Sequence, residues 1–329
     1  MAFDLQNLPF RAFKEVLSTI DLREKFLIAT LSKKSASLVK KSLSLKKYKL
    51  TLSHSKHWDL EEDRSDYSPQ IKKGERHSSK EGGSLDLLKT LEFIIDVFNK
   101  PRTCLLTNDP LESYYSYFPF FERLELKVNT LHFQCQWHEL QSLLEDCEKI
   151  PNIQVMIYSS VPSEIVDFNK QAKYHFEEAH FIYGDDKEWV SHNDLLISSL
   201  DCKRVQIGFP FFAGQLASQE LQERSLLGLV ELLKRWIAGS RMEFLNIWKI
   251  PMNFSKFKTV FKSLGQRVPV KQATYPKKGG GWKTINFHDN CYMIEQNKTG
   301  RKAHVFVIHD EKNYYTLLLR MAPETFVLA

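Results

Sequence analysis

The chain has 329 residues, a formal net charge of +6 and 43% apolar residues, enough to build a sizeable core in one large domain plus a small one. No apolar run approaches bilayer-spanning length, and Asp4, Arg11 and Lys14 interrupt the N-terminus where a signal peptide would be apolar, so neither a membrane span nor secretion is expected. The cysteines Cys104, Cys135, Cys147, Cys202 and Cys291 are odd in number and lack paired spacing, which suits reduced core thiols in a cytoplasmic or nuclear protein.

The first forty residues carry the strongest signal. Pro9 suits the first turn of a helix, where its missing N–H is no loss. Phe13, Val16, Leu17 and Ile20 then recur at helical spacing and form an apolar stripe. Asp21 followed by Glu24 predicts an N-cap and a second helix through Phe26, Leu27 and Leu31. Ser32 can cap a third helix carrying Leu38 and Val39. Such stripes also fit the start of one ordinary globular domain. Three short helices with almost no loop between them, however, cannot bury all these side chains among themselves, and no cysteine staples them. A segment of this kind docks onto something.

The order Leu8-Pro9, Glu15-Val16-Leu17, Ile20-Asp21, Leu31-Ser32-Lys33 and Leu38-Val39-Lys40 resembles an F-box, and more narrowly the F-box of the large nematode families. Where many relatives have Met-Asp-Pro this chain has Ile20-Asp21-Leu22, which keeps an apolar contact. The resemblance implies a three-helix hook that binds the Skp-type adaptor of a cullin–RING ubiquitin ligase. The residues matching that hook are Leu8, Pro9, Phe10, Val16, Leu17, Ile20, Leu27 and Leu31.

Between Glu24 and Asp59 there is no acidic residue but there are nine lysines: Lys25, Lys33, Lys34, Lys40, Lys41, Lys46, Lys47, Lys49 and Lys56. The strip fits a solvated face, an acidic partner or phosphates. Lys33 and Lys34 fall at a helix start, where the dipole disfavours cations, which hints at something negative nearby. The absence of arginine and the scarcity of aromatics in the strip make nucleic-acid readout the weaker reading.

Lys49 to Ser53 alternates as a strand does, and residues 59–84, rich in Asp, Glu, Lys, Ser and Gly, look like a mobile loop or linker. The expected division is therefore 1–45 as the hook, 46–84 as strand plus linker, and 85–329 as a separate domain. From Leu85 onward, helical and strand-like pieces alternate. A helix runs from Leu85 to Phe98 and ends before Pro101. Strands are predicted at Arg123–Leu126, Ile153–Ile157, His180–Tyr183, Arg204–Ile207 and Phe244–Ile247, with helices at Trp137–Ile150, Ser163–Lys173, Asp194–Leu200 and Gln219–Ile237. One strand and one helix per unit suggests degenerate leucine-rich-repeat-like stacking, with an ordinary α/β domain as the alternative. Four closing segments, Trp282–Phe287, Tyr292–Glu295, Ala303–Ile308 and Tyr314–Arg320, predict an antiparallel meander that caps the array. The fold class is thus mixed α+β or α/β.

Leu233-Lys234-Arg235-Trp236-Ile237-Ala238-Gly239-Ser240 before Glu243-Phe244-Leu245, with Asn193–Ile197 and Leu200–Val205 ahead of it, resembles the type 2 F-box-associated domain. That likeness implies a substrate-receptor arm that brings an unidentified target protein to the ligase. It implies no catalytic residue and no cofactor.

Other chemistry is thinly supported. Gly279-Gly280-Gly281-Trp282-Lys283-Thr284 is a poor phosphate loop, since Trp282 stands where backbone must approach phosphate. His132, Cys135, His138 and Cys147 lack a tight paired metal loop. Asp185 and Asp186 after Gly184 suit a turn. No metal site and no catalysis by this chain are expected. Loops around Gly184, Phe209–Phe212 and Pro276–Trp282 are candidates for the target-binding face.

Overall fold

In a computed structural model, the residues described are 5–43, 47–53, 58–62, 77–79, 84–107, 119–158, 173–183, 192–208, 219–250, 254–267, 272–276, 282–286, 291–309 and 315–321. They form a mixed α+β protein with three N-terminal helices and a large sheet of parallel and antiparallel strands. The chain divides into two compact units, one drawn chiefly from Met1–Leu131 and the other from His132–Pro276 with Trp282–Ala329. The expected limits at 45 and 84 both fall inside the first unit.

The first unit opens with α1 (Phe10–Thr19), α2 (Leu22–Thr30) and α3 (Lys33–Ser42). Both predicted caps form. The Asp21 carboxylate accepts from Glu24 N at 2.7 Å while Glu24 accepts from Asp21 N at 3.0 Å, a reciprocal capping box. Ser32 Oγ accepts from Ser35 N at 3.1 Å. Phe13, Leu17, Leu22, Ala29, Val39 and Leu43 are buried and make the three-helix core.

Behind it stand β1 (Tyr48–Ser53), β2 (Trp58–Glu62), β3 (His77–Ser79), α4 (Ser84–Val97) and β4 (Arg102–Thr107). β1 pairs antiparallel with β2 and parallel with β4, and β3 extends β2. Residues 59–62 and 77–79, expected within a loop or linker, are therefore strand. Trp58 and Leu60 alternate into the core at 2% and 0% exposure, a period-two signal hidden among charged neighbours. α4 stops as predicted: Asn99 and Lys100 take φ of 55° and 50°, and Pro101 follows.

A second correction concerns Arg123–Leu126, where a strand is predicted. Residues 119–123 are helical and Leu124 and Glu125 turn, with Glu125 at φ 51°. Two leucines two apart are too short a pattern to separate a strand from a helix end. The strand comes later as β5 (Val128–Gln136), which carries the chain into the second unit.

The second unit continues with α5 (Trp137–Asp146), β6 (Asn152–Tyr158), β7 (Glu178–Tyr183), α6 (His192–Ser198), β8 (Arg204–Gly208), α7 (Gln219–Ala238), β9 (Phe244–Ile250) and α8 (Phe254–Phe261). β6, β7, β8 and β9 are parallel neighbours, and their first residues are in register: Asn152 pairs Glu178, Glu178 pairs Arg204, and Arg204 pairs Phe244. Ile153, Val155, Ile157, Ala179, Phe181, Val205, Ile207, Leu245 and Ile247 fill one face. The predicted helix over Ser163–Lys173 lies, but for its last residue, outside the described residues.

The closing meander is β13 (Cys291–Glu295), β14 (Lys302–His309) and β15 (Tyr315–Met321), all antiparallel, with β10 (Gln266–Arg267) beside β13 and β15 beside β9. Trp282–Phe287 does not join it. β12 (Trp282–Asn286) pairs instead with β11 (Gln272–Pro276) in a separate two-stranded ribbon.

The Lys234–Ser240 motif is a structural clamp. Trp236 is buried and donates its indole N–H to Met242 O at 3.0 Å. Ser240 Oγ donates to Leu200 O at 2.5 Å and accepts from Met242 N at 3.0 Å. Gln296 Nε2 donates to Ser240 O at 2.7 Å and Asn297 N to Ile237 O at 2.9 Å, which ties the β13–β14 turn to the end of α7. A glycine just past a helix end suggests a left-handed helical cap, but Gly239 sits at φ 144°, a different region that only glycine adopts freely.

Two stability predictions follow from this packing. A Cβ at Gly239 would meet nothing closer than Lys298 Cδ at 4.0 Å. Gly239→Ala should therefore cost about 1–3 kcal/mol through strain alone, measurable by urea denaturation. Burial of His304 pulls its imidazole down from 6.5 to about 4. The unfolded chain thus binds the proton first, so its contribution is present above pH 6.5 and is lost on acidification towards pH 4, by about 3 kcal/mol. His304→Gln should flatten that part of the acid stability curve; an unchanged curve would refute the assignment.

Candidate docking surface

The three helices leave apolar side chains outside their own core. Among the described residues the exposed large hydrophobics are Phe10 at 44%, Leu27 at 50%, Leu31 at 69% and Leu227 at 69% exposure. The first three belong to the hook and all three are in the set singled out from sequence. Leu8, Val16 and Ile20 are half-buried, and Pro9 is exposed. Leu17 does not belong with them. At 2% exposure it lies in the core beside Phe13 on the inner side of the α1 stripe, so no partner can reach it.

Helical geometry explains the split. Leu27 and Leu31 are four apart and share a face, whereas Leu22, Lys25 and Ala29 occupy the buried side of α2. Phe26 is turned inward towards the rest of its unit. Its ring lies 5.6 Å from Trp58 and 5.8 Å, edge to face, from Phe93. Lys40 pairs with Asp96 of α4 at 2.5 Å. These contacts set the hook on β2 and α4.

The lysine strip is divided by the fold. Lys25 is 6% exposed and leaves the surface altogether. Lys40 and Lys49 are paired with Asp96 and Glu61. Lys33, Lys34, Lys41 and Lys47 remain exposed, and Lys46 and Lys56 lie outside the described residues. Lys34 Nζ donates to Asn7 Oδ1 at 3.4 Å, which places it beside the segment that leads into Leu8, Pro9 and Phe10.

The remaining chemical candidates do not assemble. Lys283 and Thr284 lie in β12, paired with Tyr275 and Thr274, not at the start of a helix as a phosphate loop requires. His132 and Cys135 point to opposite faces of β5, and no group of three His, Cys, Asp or Glu could hold a metal among the described residues. All five cysteines are buried, with the thiols of Cys135, Cys202 and Cys291 pushed up to about 12 by desolvation, so they are inert. Gly184, Asp185, Asp186, Phe209–Phe212 and residues 277–281 lie outside the described residues. No helix among the described residues is long and apolar enough to cross a membrane.

Compared with known proteins, the chain matches no family model, no curated protein and no solved structure.

The inside–outside division is testable by truncation. Leu17→Ala should cost about 2–5 kcal/mol of unfolding free energy, whereas Leu31→Ala should change it by less than about 0.5 kcal/mol. Equal losses in urea denaturation would mean that Leu31 is packed, and the exposed face would not exist.

Proposed function

We propose that the chain is the substrate-receptor subunit of a Skp–cullin–F-box type ubiquitin ligase. Residues 1–45 act as the F-box, and the remainder is a degenerate leucine-rich-repeat-like, F-box-associated domain that holds a target protein. The observation that carries this reading is the exposure of Phe10, Leu27 and Leu31 on a capped three-helix hook whose core is otherwise complete. Burying such side chains against an adaptor is worth about 1.5–3 kcal/mol each, less the cost of association. The rings of Phe26, Trp58 and Phe93 support the same reading, because a hook held against its own unit transmits orientation. The in-register starts of β6, β7, β8 and β9 favour stacked strand–helix units over an unrelated α/β arrangement.

In this mechanism the chain supplies position. The adaptor takes the hook, a cullin–RING assembly brings a ubiquitin-loaded enzyme, and the held target presents a lysine at raised effective concentration. The bond chemistry belongs to the enzyme supplied in trans.

Co-purification with a Skp-type adaptor tests the assignment. Leu27→Ala with Leu31→Ala should weaken binding at least about 100-fold while leaving the circular dichroism spectrum and the unfolding midpoint intact. Leu8→Ala with Pro9→Ala should do likewise. Wild-type affinity in both double variants would sink the reading.

A further inference from the structure

The charges around the exposed trio point to the chemistry of what covers it. Residues 5–43 carry eight basic side chains against three acidic ones. Two of those acids, Asp21 and Glu24, are engaged with each other's backbone in the capping box, which leaves Glu15 as the one acid outside it. Lys40, on the side of the hook towards α4, is paired with Asp96. Lys33 and Lys34 have no carboxylate partner among the described residues, and both are exposed. Only Ser32 separates them from Leu31, and the Lys34–Asn7 contact brings the same corner against the segment that precedes Phe10. Lys33 and Lys34 thus stand at the corner that carries Leu31, while Lys40 is neutralised on the side towards α4.

These lysines also oppose the local field. Ser32 caps α3, so Lys33 and Lys34 are its first two residues, where the helix dipole repels cations. Their position costs the helix some stability, and no carboxylate within the described hook offsets it.

We propose that the partner seated on Phe10, Leu27 and Leu31 is a protein whose apolar groove has an acidic rim facing Lys33 and Lys34. The rim steers association and the trio holds the complex. This inference rests on the adaptor-docking reading above and adds the charge of the adaptor's contact surface. Charge pairs at the edge of an interface act mainly on the association rate and are screened by salt, whereas buried apolar anchors act on dissociation.

The test is stopped-flow binding of the full chain to a purified Skp-type adaptor at 50 and 500 mM NaCl. Lys33→Glu with Lys34→Glu should slow association by about tenfold or more at 50 mM and by much less at 500 mM. Dissociation should change by less than about twofold. Because acids are favoured at a helix start, the same variant should unfold no more easily than wild type, which separates lost steering from lost folding. Equal association rates for wild type and variant would overturn the acidic rim and leave adaptor docking intact. No binding by wild type at either salt would overturn adaptor docking, and the rim with it. A 20-nucleotide RNA that binds wild type but not the variant, while adaptor association is unchanged, would assign the lysines to nucleic acid instead.

Discussion

The fold turns on a surplus of apolar surface in the first three helices. A bundle this short encloses only one narrow core, and Phe13, Leu17, Leu22, Ala29 and Val39 fill it. Phe26 is accommodated by the ring pair Trp58 and Phe93. Phe10, Leu27 and Leu31 stay exposed, accommodated by nothing among the described residues. The hook thus has an inner face that fixes it to its own unit and an outer face left open. Separate sides of α2 carry the two tasks, so a change to one need not disturb the other.

The second unit is organised by strand register. β6 to β9 begin level with one another, with their buried residues at alternate positions and α6 and α7 following β7 and β8. Beyond β9 the sheet continues antiparallel through β15, β14 and β13, and the Trp236–Ser240 clamp fastens the end of α7 to the turn between β13 and β14. The motif that drew attention in the sequence is therefore explained by packing: an indole N–H needs a buried acceptor, a hydroxyl bridges two backbone groups, and Gly239 takes a conformation closed to other residues.

Much of this was legible in the sequence wherever the local signal and the tertiary demand agreed. Asp21 with Glu24 and Ser32 form the caps they spell, and the alternation Ile153, Val155, Ile157 is a strand in both readings. Several of the failures are failures of local pattern. Short patterns are diluted by polar neighbours, as for Trp58 and Leu60 in β2 or Leu131, Phe133 and Cys135 in β5. Leu124 and Leu126 imitate a strand over a span too brief to reveal its period. For the candidate surface, sequence singled out residues on α1 and α2 but could not assign sides. Leu17 and Leu31 look alike in a resemblance, and only the packed structure separates a core residue from an open one.

Hydrogen–deuterium exchange of the full chain, alone and saturated with a Skp-type adaptor, addresses the central claim most directly. The account predicts new protection in peptides covering residues 8–10 and 27–34, with β6 to β9 unchanged. Protection confined to the strands of the second unit, or none in the hook, would contradict it.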